Sequence, residues 1–319
     1  MIHGWMIAES VLQALYTGVV VGAVYGLMCV GLALIFSVMR VVNFAQGEFL
    51  MLGMYGSLIV FSQLGIGALL GPYLGPFVAN IIAAVVIYLI GCLIYQVLLG
   101  RVTGLRAVGA EGEGHYAQLT LTLGLSLVLQ NGGMMVFGAT PQTLRTPLSA
   151  KAFEISGFWD EATIFLNQAR LVAFGIALVV ITLVGAFIHY TRQGKMLRAA
   201  ADNPEAATYM GIHVNRAHRM AFGAGAAVTA VAGGLIATFY PFQPYVGIEF
   251  VIIMYAGVVL GGMGSVVGAF WGGMTIGLVQ QMATFVLPTQ LQNAAIFIVF
   301  LLIILLRPQG LFGRNVERA

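Results

Sequence analysis

The charges of this 319-residue chain are confined to short islands between long uncharged stretches. Phe49–Gly100, Gly114–Leu144, Leu171–Thr191, Met220–Ile248 and Val251–Leu306 contain no Asp, Glu, Lys or Arg. Each stretch is long enough for one or more membrane spans of about 20 residues. Hydrophobic residues make up 60% of the chain and charged residues only 8%, whereas a soluble domain is about 25% charged. These proportions exclude an ordinary soluble domain. The fold class is an all-α polytopic membrane protein, organised as one transmembrane domain over residues 1–319.

The apolar runs predict helices near Val11–Val38, Phe49–Leu64, Leu74–Leu99, Tyr116–Phe137, Arg170–Tyr190, His218–Tyr240, Phe250–Gly262, Val266–Leu287 and Gln292–Leu306, with ends placed to within about four residues. That reading implies about eight or nine crossings. Arg40, Arg101, Arg106, Arg192, Lys195, Arg198, Arg216, Arg219, Arg307, Arg314 and Arg318 then fall on one side, eleven of the fourteen basic residues. By the positive-inside rule that side is cytoplasmic, so the start of the chain is expected outside and its C-terminus inside. Residues 139–167, where Arg145 and Lys151 are offset by Glu154, Asp160 and Glu161, become an external loop. The start of the chain lacks the basic residues and cleavage site of a removable signal, so Val11–Val38 is expected to stay as a span.

Several functions find no support in the residues. The net charge of +3 sits in loops that a membrane protein keeps basic, and implies no nucleic acid. Cys29 and Cys92 lie inside apolar runs and read as small buried hydrophobes. His213 and His218 have no metal-ligand spacing around them. Gly194-Lys195 is followed by Met196 and lacks the upstream glycine of a phosphate-binding loop, so the chain has no ATP site of that kind. No nucleophile stands with a partnered base, and the chain is not an enzyme by itself. Glu48 and Glu249 are both expected at membrane borders. An ion-coupled secondary transporter usually keeps ionisable groups deep in its spans, so that reading and a channel stand behind one in which the energy comes from elsewhere.

The basic loop at about 190–219 contains the most specific local signal. Asn203 suits a helix N-cap, and Pro204 the first helical position, where its missing N–H goes unnoticed. Glu205 complements the positive helix end, Ala206 and Ala207 favour helix, and Gly211 suits a left-handed stop. The spacing predicts a two-turn helix over Pro204–Met210, roughly 10 Å long at about 1.5 Å per residue. So small a helix with both ends specified, in a loop, points to docking.

Two further regions admit two readings each. Gly257, Gly261, Gly262, Gly264, Gly268, Gly272 and Gly273 crowd a run too long for one span. They serve close helix packing, or a broken helix beside a translocation path with Ser265, and the two are compatible. Asn43, Gln46 and Gly47, at i, i+3 and i+4, share one face if helical. They read as a polar helix end, with Arg40 and Glu48 at the border, or as a cytoplasmic-side lining of a path.

Glu205-Ala206-Ala207 followed by Gly211 resembles the coupling loop of ABC importer permeases. With Gly26–Ile35, Asn43–Glu48, Leu52–Tyr55, Val259–Ser265 and Arg307–Gly313, the chain resembles the permease of high-affinity branched-chain amino acid ABC importers over almost its whole length. Gln46 stands where most members carry His, so a protonatable role there is not carried over. The resemblance implies a bacterial inner-membrane importer built from two related permeases or two copies, two ATP-binding subunits and a periplasmic binding protein. In that family the short helix sits in a cleft of the ATP-binding subunit and transmits its closure. ATP and Mg would be bound by the partner subunits, with no cofactor in this chain. Leucine, isoleucine or valine is the implied cargo, and sibling importers carry urea, short amides or aromatic carboxylates. Residues 139–167 and Gly109–Gly114 match none of these blocks.

Overall fold

In a computed structural model, residues 2–102, 113–156, 163–285, 287–288, 291–307 and 310–312 are described. The expectations on Arg106, Asp160, Glu161, Pro308, Gln309, Gly313, Arg314 and Arg318, and on most of Gly109–Gly114, lie outside the described residues. Helices form where the uncharged runs place them: α1 (Ile2–Met39), α2 (Gln46–Ser62), α3 (Ile66–Val97), α4 (Glu113–Phe137) and α5 (Gln168–Tyr190). Two short helices follow, α6 (Arg192–Asp202) and α7 (Pro204–Tyr209). The apolar helices resume with α8 (Val214–Ile236), α9 (Val246–Gly261), α10 (Val266–Ala283) and α11 (Gln292–Leu306). Among them α1, α3, α4, α5 and α8 have the length and composition to cross a membrane, and α9 and α11 are shorter apolar helices.

The burial of these helices is uneven. In its most apolar window α1 is 89% buried, whereas α4 is 22% and α5 11% buried. The centre of the protein is therefore α1, packed antiparallel against α10 through small residues. A methyl group added at Gly22 would come within 2.7 Å of the Met274 carbonyl, and one at Gly273 within 2.7 Å of the Gly26 Cα. Without a hydrophobic driving force between helices in lipid, such close approach is what holds a bundle together. On another flank of α1 lies α8, where Gly31 and Gly225 meet. α4 and α5 leave much of their apolar surface uncovered by this chain.

Two local expectations are corrected, on the start of α1 and on Asn43, and two regions gain detail. α1 begins well before Val11 and, at about 1.5 Å per residue, is roughly 57 Å long, so it reaches beyond a bilayer core. The α3 run is interrupted at Gly71 (φ 74°, ψ 171°), after which Pro72 opens the continuous helical part, a position that suits proline. The loop 139–167 contains a hairpin, β1 (Ala152–Ser156) and β2 (Thr163–Asn167), antiparallel with Ala152 opposite Asn167. The Gln13 side chain pairs with the free edge of β2, donating to the Phe165 carbonyl at 2.8 Å and accepting from its N–H at 3.1 Å. Finally, Asn43 is not on a helix: residues 40–45 are irregular and α2 starts at Gln46, so Asn43, Gln46 and Gly47 do not share a continuous helical face.

Candidate functional site

At the basic end of the protein the predicted short helix is present with both caps. Asn203 is extended (φ −147°, ψ 101°) and its Oδ1 accepts from the Ala206 N–H at 3.0 Å. Gly211 is left-handed (φ 79°). Ile212 N–H donates to Ala207 O at 2.9 Å and Gly211 N–H to Thr208 O at 3.0 Å, the paired bonds that close a helix at a left-handed glycine. Only Ala207 is buried, while Tyr209 and Met210 are 89% and 82% exposed. Two large side chains are thus held in the open on a helix capped at both ends.

The capped helix is tied to the bundle through α6. Thr191 caps α6, its Oγ1 accepting from Gly194 N–H at 3.0 Å. Gly194 lies against the carbonyls that end α5, where a Cβ has no room. Leu197 and Ala200 of α6 pack with Val38 of α1 and Ala217 and Ala221 of α8 in a small separate core. α7 is thus joined through α6 to the ends of α1, α5 and α8.

Inside the bundle the second polar island is closed upon itself. Arg40 stops α1 with a positive φ of 53°, unusual for a residue with a side chain, and the chain turns back inward. Asn43 Oδ1 accepts from Ala45 N–H at 3.2 Å, and its Nδ2 donates to Gln46 Oε1 at 2.9 Å. Gln46 Nε2 donates to Gly225 O at 3.2 Å and to Thr229 Oγ1 of α8. Asn43 and Gln46 are fully buried, and satisfied polar groups of this kind fix one arrangement of the helices around them. Gly47 lies against the Gly247 backbone of α9.

Glu48 is not at a border. It is 1% exposed and accepts from Ser126 Oγ at 3.2 Å, near the middle of α4. The argument from an absence of buried ionisable groups therefore does not hold for this residue.

The glycine run combines both of its expected roles in packing and breaking. Gly261, Gly268 and Gly272 sit where α9 and α10 touch backbone to backbone. Gly262 and Gly264 have φ near 100° and make the break between the helices. Ser265 caps α10, its Oγ accepting from Gly268 N–H at 3.0 Å. The C-terminal segment closes over this turn, with Leu311 N–H donating to Leu260 O at 2.8 Å. The break is thus packed against Gly310 and Leu311 as the protein stands.

Residues 14–306 match the model of the family described as the permease component of the branched-chain amino acid transport system. The chain belongs to this permease family. Its role is that of a membrane permease in an ABC import system. It is 27% identical to the high-affinity branched-chain amino acid transport permease LivH of Escherichia coli K12, over 96% of this chain and 97% of that one. Identity to BraD of Pseudomonas aeruginosa is 28%, with the same coverage of both chains. The autoinducer 2 import permease LsrC of an Enterobacter species is 30% identical over 56% of this chain and 50% of its own.

Sequence reasoning had not paired this permease's Gln46 with Thr229, nor seen the polar face of α4. Gln118, Thr122, Ser126 and Gln130 recur every fourth residue, a spacing that places them on one side of a helix. That periodicity was visible in Tyr116–Phe137.

Proposed function

We propose that this permease is one of two membrane-spanning subunits of an ATP-driven importer for branched-chain amino acids, supplied by a periplasmic binding protein and docked through α7 onto an ATP-binding subunit. The observation that carries the reading is α7 itself: a helix specified at both ends, exposing Tyr209 and Met210, and linked by α6 to three long helices. The nine apolar helices cross the membrane, with the start of the chain and the β1–β2 hairpin outside and α6, α7 and the C-terminus in the cytoplasm, as the distribution of basic residues favours. ATP and Mg belong to the partner subunits. Asn43, Gln46, Gly47, Gly261, Gly262, Gly264 and Ser265 border the translocation path and move with it.

The test is reconstitution with the partner subunits and binding protein, measuring ATPase stimulation and uptake. Leucine, isoleucine and valine are expected to stimulate, and urea, short amides and aromatic carboxylates are not. Stimulation by one of the latter alone replaces the cargo and leaves the importer role intact. Orientation has its own check: an impermeant thiol reagent added to intact cells labels Ala150→Cys and spares Arg198→Cys, and the reverse pattern inverts the topology.

A further inference from the structure

Along one side of the bundle α2 and α4 run parallel and meet at a polar seam. At one end Thr122 Oγ1 donates to Val42 O at 3.5 Å; midway Ser126 Oγ donates to Glu48 Oε1 at 3.2 Å. Further along, Met51 lies against Gly133. At the hairpin end Tyr55 of α2 stacks on Phe137 of α4 with ring centroids 4.0 Å apart, and Phe242 packs edge-on to Tyr55 at 4.9 Å. Three aromatic rings thus close one end of a seam whose interior is polar.

The interior of the seam is incompletely bonded. Glu48 Oε2 and Gln130 Nε2 are buried and have no hydrogen-bond partner among the described residues. The carboxylate rests on bare backbone: a Cβ at Gly247 would stand 2.8 Å from Oε1 and 2.9 Å from Oε2. A buried carboxyl oxygen without a partner is costly and calls for an explanation. In a membrane span such a group marks a path by default. A lipid-facing wall would have no reason to repeat Gln, Thr, Ser and Gln every fourth residue, and a first-turn carboxylate that served only the helix end would not need to be buried against α4.

We propose that Glu48 is an internal station for the ammonium group of the translocated amino acid, with Ser126 and Gln130 of α4 beside it and the Tyr55–Phe137–Phe242 cluster as its closed outer door. An ammonium group donates up to three hydrogen bonds and pairs with a carboxylate through charge-assisted bonds, which is what the unused oxygen lacks. In this proposal α4, which within this chain packs chiefly on α2, is the wall that gives way. The assignment rests on the amino-acid reading given above.

The test uses the reconstituted complex with Cys29 and Cys92 replaced by Ala. Ser126→Cys is exposed to aminoethyl (cationic) and sulfonatoethyl (anionic) methanethiosulfonates, reagents that need a wetted thiolate. Rates are normalised to Ala150→Cys on the hairpin approach. The cationic reagent is expected to be favoured at least tenfold. Glu48→Gln should abolish that preference, and leucine should slow the modification only when Glu48 is present. Glu48→Gln should also lower leucine uptake more than tenfold while ATPase stimulation persists. If Glu48→Gln fails to assemble, Glu48→Asp keeps the charge and is expected to keep the preference, and the ratio in the parent complex still decides. Three outcomes overturn the station: Ser126→Cys inert in every nucleotide state of an active complex, no cation preference in the parent, or wild-type leucine uptake by Glu48→Gln. A cation preference in a complex that does not import leucine overturns the amino-acid reading instead.

Discussion

At Asn203 and at Asn43 an asparagine side chain shapes the approach to a helix. In both places an Asn Oδ1 accepts a backbone N–H, from Ala206 at 3.0 Å and from Ala45 at 3.2 Å, and a glutamate stands in the first turn of the helix that follows. The surroundings differ completely. Glu205 is exposed on a helix that touches little besides α6 and α8, whereas Glu48 is 1% exposed among α2, α4 and α9. The local chemistry differs too: Asn203 is itself the cap of α7, whereas Asn43 closes a turn onto Ala45, the residue that precedes α2 and carries no side-chain cap. Only neighbours decide whether the first-turn carboxylate faces water or is buried against another helix.

Perturbing the exposed face of α7 should have the largest functional effect with the smallest effect on folding. Tyr209→Ala combined with Met210→Ala, or Glu205→Arg alone, removes anchors of the docking face. Loss of an interface hot spot is worth about 2 kcal/mol or more, roughly thirtyfold in affinity. Uptake and co-purification of the ATP-binding subunit should fall accordingly, with an unchanged thermal midpoint of the isolated permease in detergent. Wild-type uptake by both variants at normal membrane abundance would remove the docking assignment.

In the interior the order of effects reverses. At Gly47 a methyl group meets the Gly247 carbonyl, and overpacking of this kind costs about 1–3 kcal/mol. Gly47→Ala should therefore lower the thermal midpoint of the permease itself. Gln46→Leu leaves the Asn43 amide and the Gly225 carbonyl short of a partner, an effect of about 1–3 kcal/mol, and should act on the same measurement. Equal stability of Gln46→Leu and the parent would show that the Gln46–Thr229 contact does not hold α2 to α8.

The smallest effects belong to the caps of α7. At Gly211 a side chain meets nothing within 4 Å, so Gly211→Ala carries only the penalty of a left-handed backbone, about 1–2 kcal/mol. Asn203→Ala removes a cap worth about 1 kcal/mol. Both should fray α7 and reduce coupled ATPase activity without moving the thermal midpoint. If Gly211→Ala and Gly47→Ala shift that midpoint alike, the contrast between the two helix starts is lost.

The two starts also separate what could be read early from what could not. The helix expected over Pro204–Met210 and found over Pro204–Tyr209 was legible because its signals are all local: a cap, a proline at the first position, a glycine stop. Glu48 was placed at a border because Arg40, eight residues before it, is at the basic end and nothing local shows that the chain returns into the bundle. Its return toward α8 depends on Gly225 and Thr229, some 180 residues away in sequence. α6 escaped notice for a related reason, since its basic, amphipathic sequence resembles a solvated loop until Leu197 and Ala200 find Val38 and Ala217. The hairpin in residues 139–167 pairs locally, Ser156 with Thr163, but its short strands give little signal and its edge is met by Gln13, which is distant in sequence.

From the sequence alone come the membrane class, the approximate positions of nine apolar helices, the ends of the short capped helix and the permease family. Each is set by composition, by period or by residues within a few positions of one another, and such interactions need no knowledge of the rest of the chain. The tertiary structure alone decided that α1 is the central helix, that the glycines of α9 and α10 join helix to helix, and that Glu48 lies buried beside Ser126. Those outcomes depend on which faces meet after the chain has turned through the bundle, and a carboxylate has the same sequence neighbours whether it finally faces water or the middle of α4.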